Sequence, residues 1–339
     1  MPRRRGFSVA AAYCGAVIGA GFASGREVMS FFGKYGDMGR AGVIVATAMF
    51  MWAGVTILDV THRSPVYSYQ DLLSIVLRSP LLIKVADLLF LATLQVGTGV
   101  MIAAGGSLFS GWGVHYAAGC LIFSAVCCAL LRTGSAGFLR ANVWLVPGMI
   151  AVIIMLCLMQ ISHPALAVET GPWGAAVMYG AYNIAIAAVA LSTLKPHLSS
   201  TAVWLGGLGG GLLTGGLLFL EYLALMQLPG QAEMPMLELA AAWLGAGKLL
   251  YEFALLAAVT TTALANMHGL AARIAGADKY RFALAAIGGL GFMLAQIGFA
   301  GLVDLLYPLL GICNIVLVAG LCYYSLARVL AAGKSRGGR

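Results

Sequence analysis

Charge is scarce in this chain of 339 residues, because only 9% of them are Asp, Glu, Lys or Arg while 61% are hydrophobic. A soluble protein of this size has about a quarter charged residues. The longest polar connections, around residues 63–80 and 229–246, are too short to bury a core of their own. The composition therefore excludes an ordinary soluble domain and predicts one membrane domain over residues 1–339, with the lipid bilayer as its solvent.

Motifs for catalysis and for metal or nucleotide binding are also missing. The 5 His residues are scattered, and the sequence has no HExxH, no nucleophile elbow and no phosphate-binding GxxxxGK[ST]. The 7 Cys residues lie in apolar runs without the paired spacing of a zinc site or a disulfide framework, so packing is their default role. We therefore predict that the protein is not an enzyme and needs no cofactor.

Apolar runs of about 20 residues, the length that crosses a hydrocarbon core of ~30 Å, recur along the chain. They predict an all-α polytopic fold with both termini on one side of the membrane. The connection at 229–246 holds Pro235 and Glu238 ahead of an apolar stripe, so it is either a short interfacial helix or a plain loop. The ten candidate spans cover residues 7–32, 40–62, 82–110, 112–132, 137–161, 172–194, 199–228, 247–272, 280–298 and 302–331.

Basic residues mark the side of the membrane that holds the termini. By the positive-inside rule this side is cytoplasmic, and we expect the protein in the plasma membrane, which in a bacterium is the cytoplasmic membrane. The net charge of +8 is then a topological signal and gives no reason to expect a nucleic-acid partner. The residues on this side are Arg3, Arg4, Arg5, Arg63, Arg78, Lys84, Arg132, Arg140, Lys195, Arg273, Lys279, Arg281, Arg328, Lys334, Arg336 and Arg339.

A glycine-rich segment lies near the middle of span one. Broken helices are tolerated at membrane depth where the freed backbone faces protein or a polar cavity, and transporters bind charged solutes at such breaks. Backbone N–H groups at the start of the second half-helix would favour a carboxylate, whereas a glycine packing face is the alternative. The segment predicted to bind solute is Gly19, Ala20, Gly21, Phe22, Ala23 and Ser24.

Polar residues lie at a similar depth in three other spans. If span six mirrors span one, it should be interrupted near Gly180, beside Tyr179, Tyr182 and Asn183. Span three offers Gln95, and span eight offers three consecutive threonines, residues 260–262, whose oxygens suit a hard cation such as Na⁺. Each residue also has a structural alternative, since Thr often bonds its own helix and a buried amide can bridge helices.

Few acidic residues lie within the spans, and most lie near span ends. Glu221 in span seven is a candidate proton carrier. Arg26 and Glu27 follow the glycine segment directly and are gate candidates, either as an ion pair at the outer mouth or as a solvated interfacial pair.

Three stretches together resemble the YkvI-type amino-acid permease family over essentially the whole chain. They are Ile18-Gly-Ala-Gly-Phe-Ala-Ser-Gly-Arg-Glu27, the segment from Tyr179 to Asn183, and Leu305-Leu-Tyr-Pro-Leu-Leu-Gly311. The family is similar to the amino acid, polyamine and organocation superfamily. The resemblance implies a LeuT-like 5+5 fold of two inverted repeats, here residues 7–161 and 172–331, with helices one and six broken.

The resemblance also implies one sodium site. Its ligands would be backbone carbonyls before the break of span one together with a carbonyl and two hydroxyls of span eight. A second sodium site is not expected, because Phe22 stands where the family pattern has an asparagine. By motif the ligands are Gly15, Ile18, Ala257, Thr260 and Thr261.

The leading hypothesis is a secondary transporter of a small amino acid or amino-acid-like solute that works by alternating access with Na⁺. The solute would bind the span-one segment, Tyr179, Tyr182, Asn183 and Gln95. The alternatives are proton-coupled or exchange transport of another small amine or organic acid, and a membrane sensor that binds without transporting. The sequence defines neither the substrate nor the oligomeric state.

Overall fold

The computed structural model describes residues 2–131, 135–159, 172–226, 232–245, 248–275 and 279–336, and these ranges are almost wholly helical. Helical regions follow the ten predicted spans in order. Within the described ranges, six helices are long and apolar enough to cross a membrane, and three shorter apolar helices accompany them. The predicted all-α polytopic fold is confirmed. The predicted span boundaries at residues 132, 161, 228 and 247 lie outside the described residues.

The first half of the chain begins with a divided span. Its pieces are α1 (Pro2–Val17), α2 (Ala20–Ala23) and α3 (Arg26–Phe31), and a 3₁₀-helix, Gly33–Met38, follows them. The next spans are α4 (Gly39–Arg63), α6 (Pro80–Gly111), α7 (Tyr116–Leu131) and α8 (Ser135–Leu158). The short helix α5 (Tyr69–Leu77) lies in the connection between α4 and α6.

The second half has five spans and one short helix. The spans are α9 (Trp173–Leu191), α10 (Ser200–Leu225), α12 (Lys248–Ile274), α13 (Tyr280–Ala295) and α14 (Phe299–Arg336). The short helix α11 (Pro235–Leu244) lies between α10 and α12. Of the two interpretations of the connection at 229–246, the short helix is therefore the one observed in the described part.

Close packing of α10 against α4 depends on glycine. A Cβ atom added at Gly207 would lie 2.7 Å from Cα of Val55, and one added at Gly211 would lie 2.6 Å from Cα of Met51. Small residues let helix backbones approach closely in lipid, where apolar burial gives helices little reason to associate. These two glycines of α10 therefore serve helix packing.

Span six is not interrupted at its middle, so the break predicted near Gly180 is wrong. Helix α9 is continuous from Trp173 to Leu191, and a 3₁₀-helix, Ser192–His197, follows it. Gly180 packs against α4, where an added Cβ would lie 2.7 Å from Cε of Met49. The glycine therefore makes room for a neighbouring helix rather than opening the backbone.

Ion pairs mark the two ends of the helix bundle. At one end, Asp59 of α4 pairs with Arg63 at 2.8 Å and also with Arg328 of α14. We call this end the terminal end, because α14 finishes there. At the other end, which we call the α11 end, Arg26 pairs with Asp304.

Candidate functional site

Span one is interrupted at Ile18 and Gly19, as its glycine pattern predicts. Helix α1 ends at Val17 and α2 starts at Ala20, with Gly19 extended between them (φ −103°, ψ −169°). A second bend follows at Gly25, whose φ of 76° is one that other residues rarely adopt. The segment between the two bends is a short buried helix inside the membrane span.

Neighbouring helices satisfy the carbonyls at the second bend. Tyr251 of α12 donates a hydrogen bond from its hydroxyl to the carbonyl of Ala23. The backbone N–H of Met236 in α11 donates to the carbonyl of Ser24 at 2.9 Å. The Ser24 hydroxyl donates to the carbonyl of Gly21 at 3.1 Å. The opened backbone therefore finds protein partners, as membrane depth requires.

Part of the predicted solute-binding segment has a structural role. The N–H of Ala23 donates to the carbonyl of Gly19, and the N–H of Ser24 donates to the carbonyl of Ala20, both at 2.8 Å. These two donors are therefore occupied within the segment, and we correct their assignment to a solute carboxylate. Phe22 is fully buried.

Glu27 folds back over the segment from the first turn of α3. A Cβ atom added at Gly21 would lie 2.7 Å from both Cγ and Cδ of Glu27, so the glycine is what leaves room for this side chain. Glu27 is only 2% exposed, and its carboxylate lies beside Tyr179 and Asn183 of α9. Its Oε2 atom has no hydrogen-bond partner within the described part of the chain. An acidic group thus lies at the break itself.

Tyr179 connects Glu27 to a set of buried aromatic rings. Its ring centroid lies 5.2 Å from that of Phe31, 5.1 Å from that of Phe32 and 6.0 Å from that of Phe50. Its hydroxyl is buried near Glu27 without a hydrogen bond of ordinary geometry among the described residues. The site therefore combines a carboxylate with aromatic rings.

Two other predicted residues of span six also face the interior. Asn183 donates from Nδ2 to the carbonyl of Tyr179 at 3.1 Å, while its Oδ1 has no partner among the described residues. Tyr182 packs against Tyr307 of α14, with ring centroids 4.3 Å apart. The structure thus brings Tyr179 and Asn183 to the span-one break, with Tyr182 on the side that faces α14.

Glu221 of α10 is a second buried acid near the break. It is fully buried, and neither of its carboxylate oxygens has a hydrogen-bond partner in the described ranges. One helical turn further along α10, Leu225 contacts Gly25, where an added Cβ would lie 2.7 Å from Cδ1 of that leucine. The packing therefore places a second buried carboxylate near the break.

Gln95 does not join this group of side chains. Its amide donates to the carbonyl of Ile287 in α13 at 3.3 Å, so it bridges α6 and α13. This bridging role is the structural alternative stated for a buried amide, and solute binding by Gln95 stays a prediction. The neighbour that a given helix face contacts depends on how the helices pack. The central position of Gln95 in span three therefore did not reveal that its side chain contacts α13.

Of the predicted sodium ligands, Ala257, Thr260 and Thr261 lie on α12, Gly15 lies on α1, and Ile18 lies between α1 and α2. Helix α12 packs against α2, and the threonine that faces Gly19 is Thr262, whose Oγ1 would lie 3.6 Å from an added Cβ. Thr260 donates to the carbonyl of Leu256 at 2.7 Å, and Thr261 donates to that of Ala258 at 3.0 Å. A hydroxyl that donates keeps its lone pairs, so both oxygens can still ligate a cation. The sodium site remains a prediction.

Arg26 and Glu27 do not pair with each other, so their interpretation as a mutual gate pair is corrected. Arg26 reaches Asp304 at the start of α14 and donates to the carbonyl of Ala232 at 2.9 Å. Its side chain is 12% exposed, and that of Asp304 is 43% exposed. The ion pair therefore links span one, span ten and the segment before α11.

Two residues near the break were not predicted to bind solute. Glu221 is an acid inside an apolar run, and an ionisable residue within a span is a functional-site candidate by default. Its position toward the end of span seven suggested only a proton-carrier role. Tyr251 carried no signal of its own, because a tyrosine in an apolar span is ordinary. Its contact with Ala23 depends on the packing of α12.

Solved structures with a similar fold are membrane transporters. One is Mhp1, a nucleobase-cation-symport-1 family transporter in a closed conformation with bromovinylhydantoin bound. It shares 17% identity at a TM-score of 0.53, over 90% of this chain and 74% of that one. Another is the Eremococcus coleocola manganese transporter with an aromatic bis-isothiourea compound, at 15% identity and a TM-score of 0.50, over 94% and 72%. Such identities show the fold alone, so the chain is a polytopic helical membrane protein with a transporter fold.

Two proteins of Bacillus subtilis (strain 168) are similar over nearly their whole length. The uncharacterized membrane protein YkvI is 29% identical over 323 residues, which cover 91% of this chain and 93% of that protein. The uncharacterized protein YyaD is 26% identical over 330 residues, which cover 92% and 94%. No protein-family model matches the chain. The likeness to YkvI agrees with the resemblance seen in the sequence, and membership of the larger superfamily stays a prediction.

Proposed function

We propose that this protein is a secondary active transporter of a small amino acid or amino-acid-like solute and works by alternating access. The observation that carries the proposal is the interruption of span one at Ile18 and Gly19, with Glu27, Tyr179 and Asn183 gathered at it. Broken helices with polar side chains at mid-membrane are where transporters of this architecture bind solute. The two predicted repeats, 7–161 and 172–331, would supply the two halves that move.

Ion pairs at both ends would act as the gates. At the α11 end, which we take as the outer side, the Arg26–Asp304 pair covers the second bend of span one. At the terminal end, which we take as cytoplasmic, Asp59 is shared by Arg63 and Arg328, and Arg273 of α12 pairs with Asp87 of α6 at 2.7 Å. Alternating access needs contacts that break at one end while the other end stays closed.

Sodium is the proposed coupling ion. The proposed ligands are the carbonyls of Gly15 and Ile18, the carbonyl of Ala257 and the hydroxyls of Thr260 and Thr261. The packing of α12 on α2, with Thr262 beside Gly19, supports this site, because it places α12 next to the break that follows Ile18. Sodium that binds one conformation more tightly than the other would couple its gradient to the solute.

Proton coupling or exchange is the second candidate, and the burial of Glu221 favours it. A carboxylate buried without a counter-charge costs several kcal/mol, so Glu221 needs a proton or another cation. If a proton moves on and off this group during the cycle, uptake will follow pH and ignore sodium.

Flux into proteoliposomes tests the proposal. The purified chain is first screened by thermal stability against amino acids and amines, in Na⁺ and in K⁺ at matched ionic strength, because a ligand of the folded state raises its stability. The best ligand is then followed as a radiolabel into vesicles with an imposed sodium or proton gradient. Accumulation driven by sodium supports symport, and accumulation driven by pH alone supports the second candidate. Binding without flux would contradict transport and support the alternative of a membrane sensor.

A further inference from the structure

Glu27 and Glu221 form a buried pair of acids that the proposed sodium site does not use. Both are nearly inaccessible, at 2% and 0% exposure, and Leu225, one turn after Glu221 on α10, contacts Gly25, two residues before Glu27. Acceptors outnumber donors here, since Oε2 of Glu27, both oxygens of Glu221 and Oδ1 of Asn183 lack a donor among the described residues, whereas the Tyr179 hydroxyl is one donor without a partner. Most buried polar side-chain atoms have a partner, so a cluster of orphan acceptors indicates a missing donor.

Three of the basic side chains at this end of the molecule pair with other acids, and Lys34 lies over the ring of Tyr35. Among the described residues, no ion pair reaches Glu27 or Glu221. Two carboxylates in a membrane interior need positive charge, because a buried charge without a partner is strongly unfavourable. The pairs are Arg26 with Asp304, Arg40 with Asp37 at 2.6 Å, and Lys248 with Glu252 at 3.2 Å.

We propose that Glu27 and Glu221 form a binding site for the ammonium group of the transported solute. This inference rests on the proposed transport function and names its substrate class, which is small primary amines and amino acids recognised through the amino group. The carboxylate of an amino acid is then secondary for recognition, in contrast to the N–H site that the sequence alone predicts.

The geometry favours an ammonium group over the other cations. An ammonium carries three N–H donors, enough to serve Glu27, Glu221 and Asn183 together, whereas a single proton serves one acceptor. The hydroxyl of Tyr179 lies beside the carboxylate of Glu27 and can accept a further hydrogen bond from the ammonium group. Phe31 and Phe32 pack on the ring of the same tyrosine and supply apolar contact for the rest of a small solute.

Matched ligand triplets test the assignment on the purified full-length chain. Each triplet holds an amino acid, the amine that lacks its carboxylate and the acid that lacks its amino group. The triplets are alanine, ethylamine and propionate; leucine, 3-methylbutylamine and 4-methylpentanoate; and phenylalanine, 2-phenylethylamine and 3-phenylpropionate. Melting temperatures across a concentration series give apparent affinities. We expect an amine to bind in at least one triplet while its matched acid does not bind.

Isosteric variants locate the binding group. Glu27→Gln should weaken binding of the amine on the order of tenfold or more, because it removes a charge-assisted hydrogen bond, and Glu221→Gln should weaken it in the same direction. The control is Glu252→Gln. Glu252 is also a buried glutamate, at 3% exposure, but it accepts from Nε1 of Trp112 at 2.8 Å and pairs with Lys248. This control should change the affinity by less than about twofold.

A second measurement needs no variant. Dicyclohexylcarbodiimide reacts with protonated carboxyl groups in apolar surroundings, and mass spectrometry locates the modified glutamate. We expect modification of Glu27 or Glu221 in the wild-type chain and protection by the bound amine.

Three results would overturn the inference. They are a matched acid that binds as well as its amine, full amine affinity in Glu27→Gln, and a panel in which no amine alters either the melting temperature or the labelling. Failure of the proposed transport function gives a different result from failure of this inference. In that case the amine would still bind and Glu27→Gln would still abolish the binding, but no flux into vesicles would be seen.

Discussion

Arg26 and Glu27 are neighbours in the chain, yet their side chains reach opposite surroundings. The Arg26 guanidinium extends to Asp304 at the α11 end, while the Glu27 carboxylate turns back over Gly21 and is buried. The left-handed conformation of Gly25 starts α3 at a new angle, and successive helical residues then point about 100° apart. One turn of helix thus connects the Arg26–Asp304 contact to the centre of the site, so in the proposed transport cycle a break in that contact would move the carboxylate.

The Arg26–Asp304 ion pair should stabilise closure at the α11 end. In Asp304→Asn we expect that end to open more often, by up to about fivefold, because partly exposed pairs contribute about 0.2–1 kcal/mol. Hydrogen–deuterium exchange measures this change in peptides that cover α3 and α11. The control is Asp37→Asn, which removes the exposed partner of Arg40. Unchanged exchange of α3 and α11 in Asp304→Asn would remove the gate assignment.

Gly21 should be essential because it makes room for Glu27. In Gly21→Ala the new Cβ would overlap the Glu27 side chain, which must then move away from Tyr179. We expect solute affinity to fall on the order of tenfold while the protein stays folded, because a flexible side chain gives way. Isothermal titration measures the affinity. The matched control is Gly209→Ala in α10, whose Cβ would meet Ala10 at an ordinary 3.8 Å. Equal affinities in the two variants would contradict the role of Glu27.

The sodium proposal predicts that Thr260→Ala together with Thr261→Ala removes sodium-dependent uptake. The two oxygens that could ligate the ion are lost, whereas folding should persist because each hydroxyl bonds only its own helix. Uptake into proteoliposomes at several sodium concentrations measures the effect. Thr98→Ala serves as the control, since Thr98 is a buried threonine that also bonds its own helix, at Leu94. Normal sodium dependence in the double variant would refute the site.

Asp71 should make stability depend on pH through the start of α5. The backbone N–H of Tyr67 donates to Asp71 and is the main cause that lowers the pKa of this carboxyl from its ordinary value. The hydroxyl and the N–H of Ser68 lower the pKa further. A lowered pKa means that the stabilisation is present above the unfolded-state pKa of about 3.9 and is lost as pH falls through the folded-state pKa. We therefore expect Asp71→Ala to lower the melting temperature at pH 7. The difference from the wild type should shrink toward pH 3, and a constant difference would exclude this cause.

Several elements could be predicted because their signals are local. The ten apolar runs, the break at Gly19 and the packing glycines of α10 depend on composition and spacing within one segment. The break of span six was wrongly predicted, because a glycine that weakens a helix and a glycine that admits a neighbour look alike in a sequence. Gly180 is of the second kind, since Met49 packs against it.

The sequence by itself determined that the protein is embedded in a membrane, how many apolar spans it has and where the first span breaks. Lipid requires each span separately to be long enough, to be hydrophobic and to have its backbone hydrogen bonds made. Only the tertiary structure decided that Glu27 lies beside Tyr179 and Asn183 and that Glu221 is buried near the same break. It also decided that Gln95 bridges α6 and α13. These facts depend on which helices are neighbours and how each is rotated. The rotation of each helix and the identity of its neighbours follow from the packing of all the spans together, so they cannot be read from any single segment.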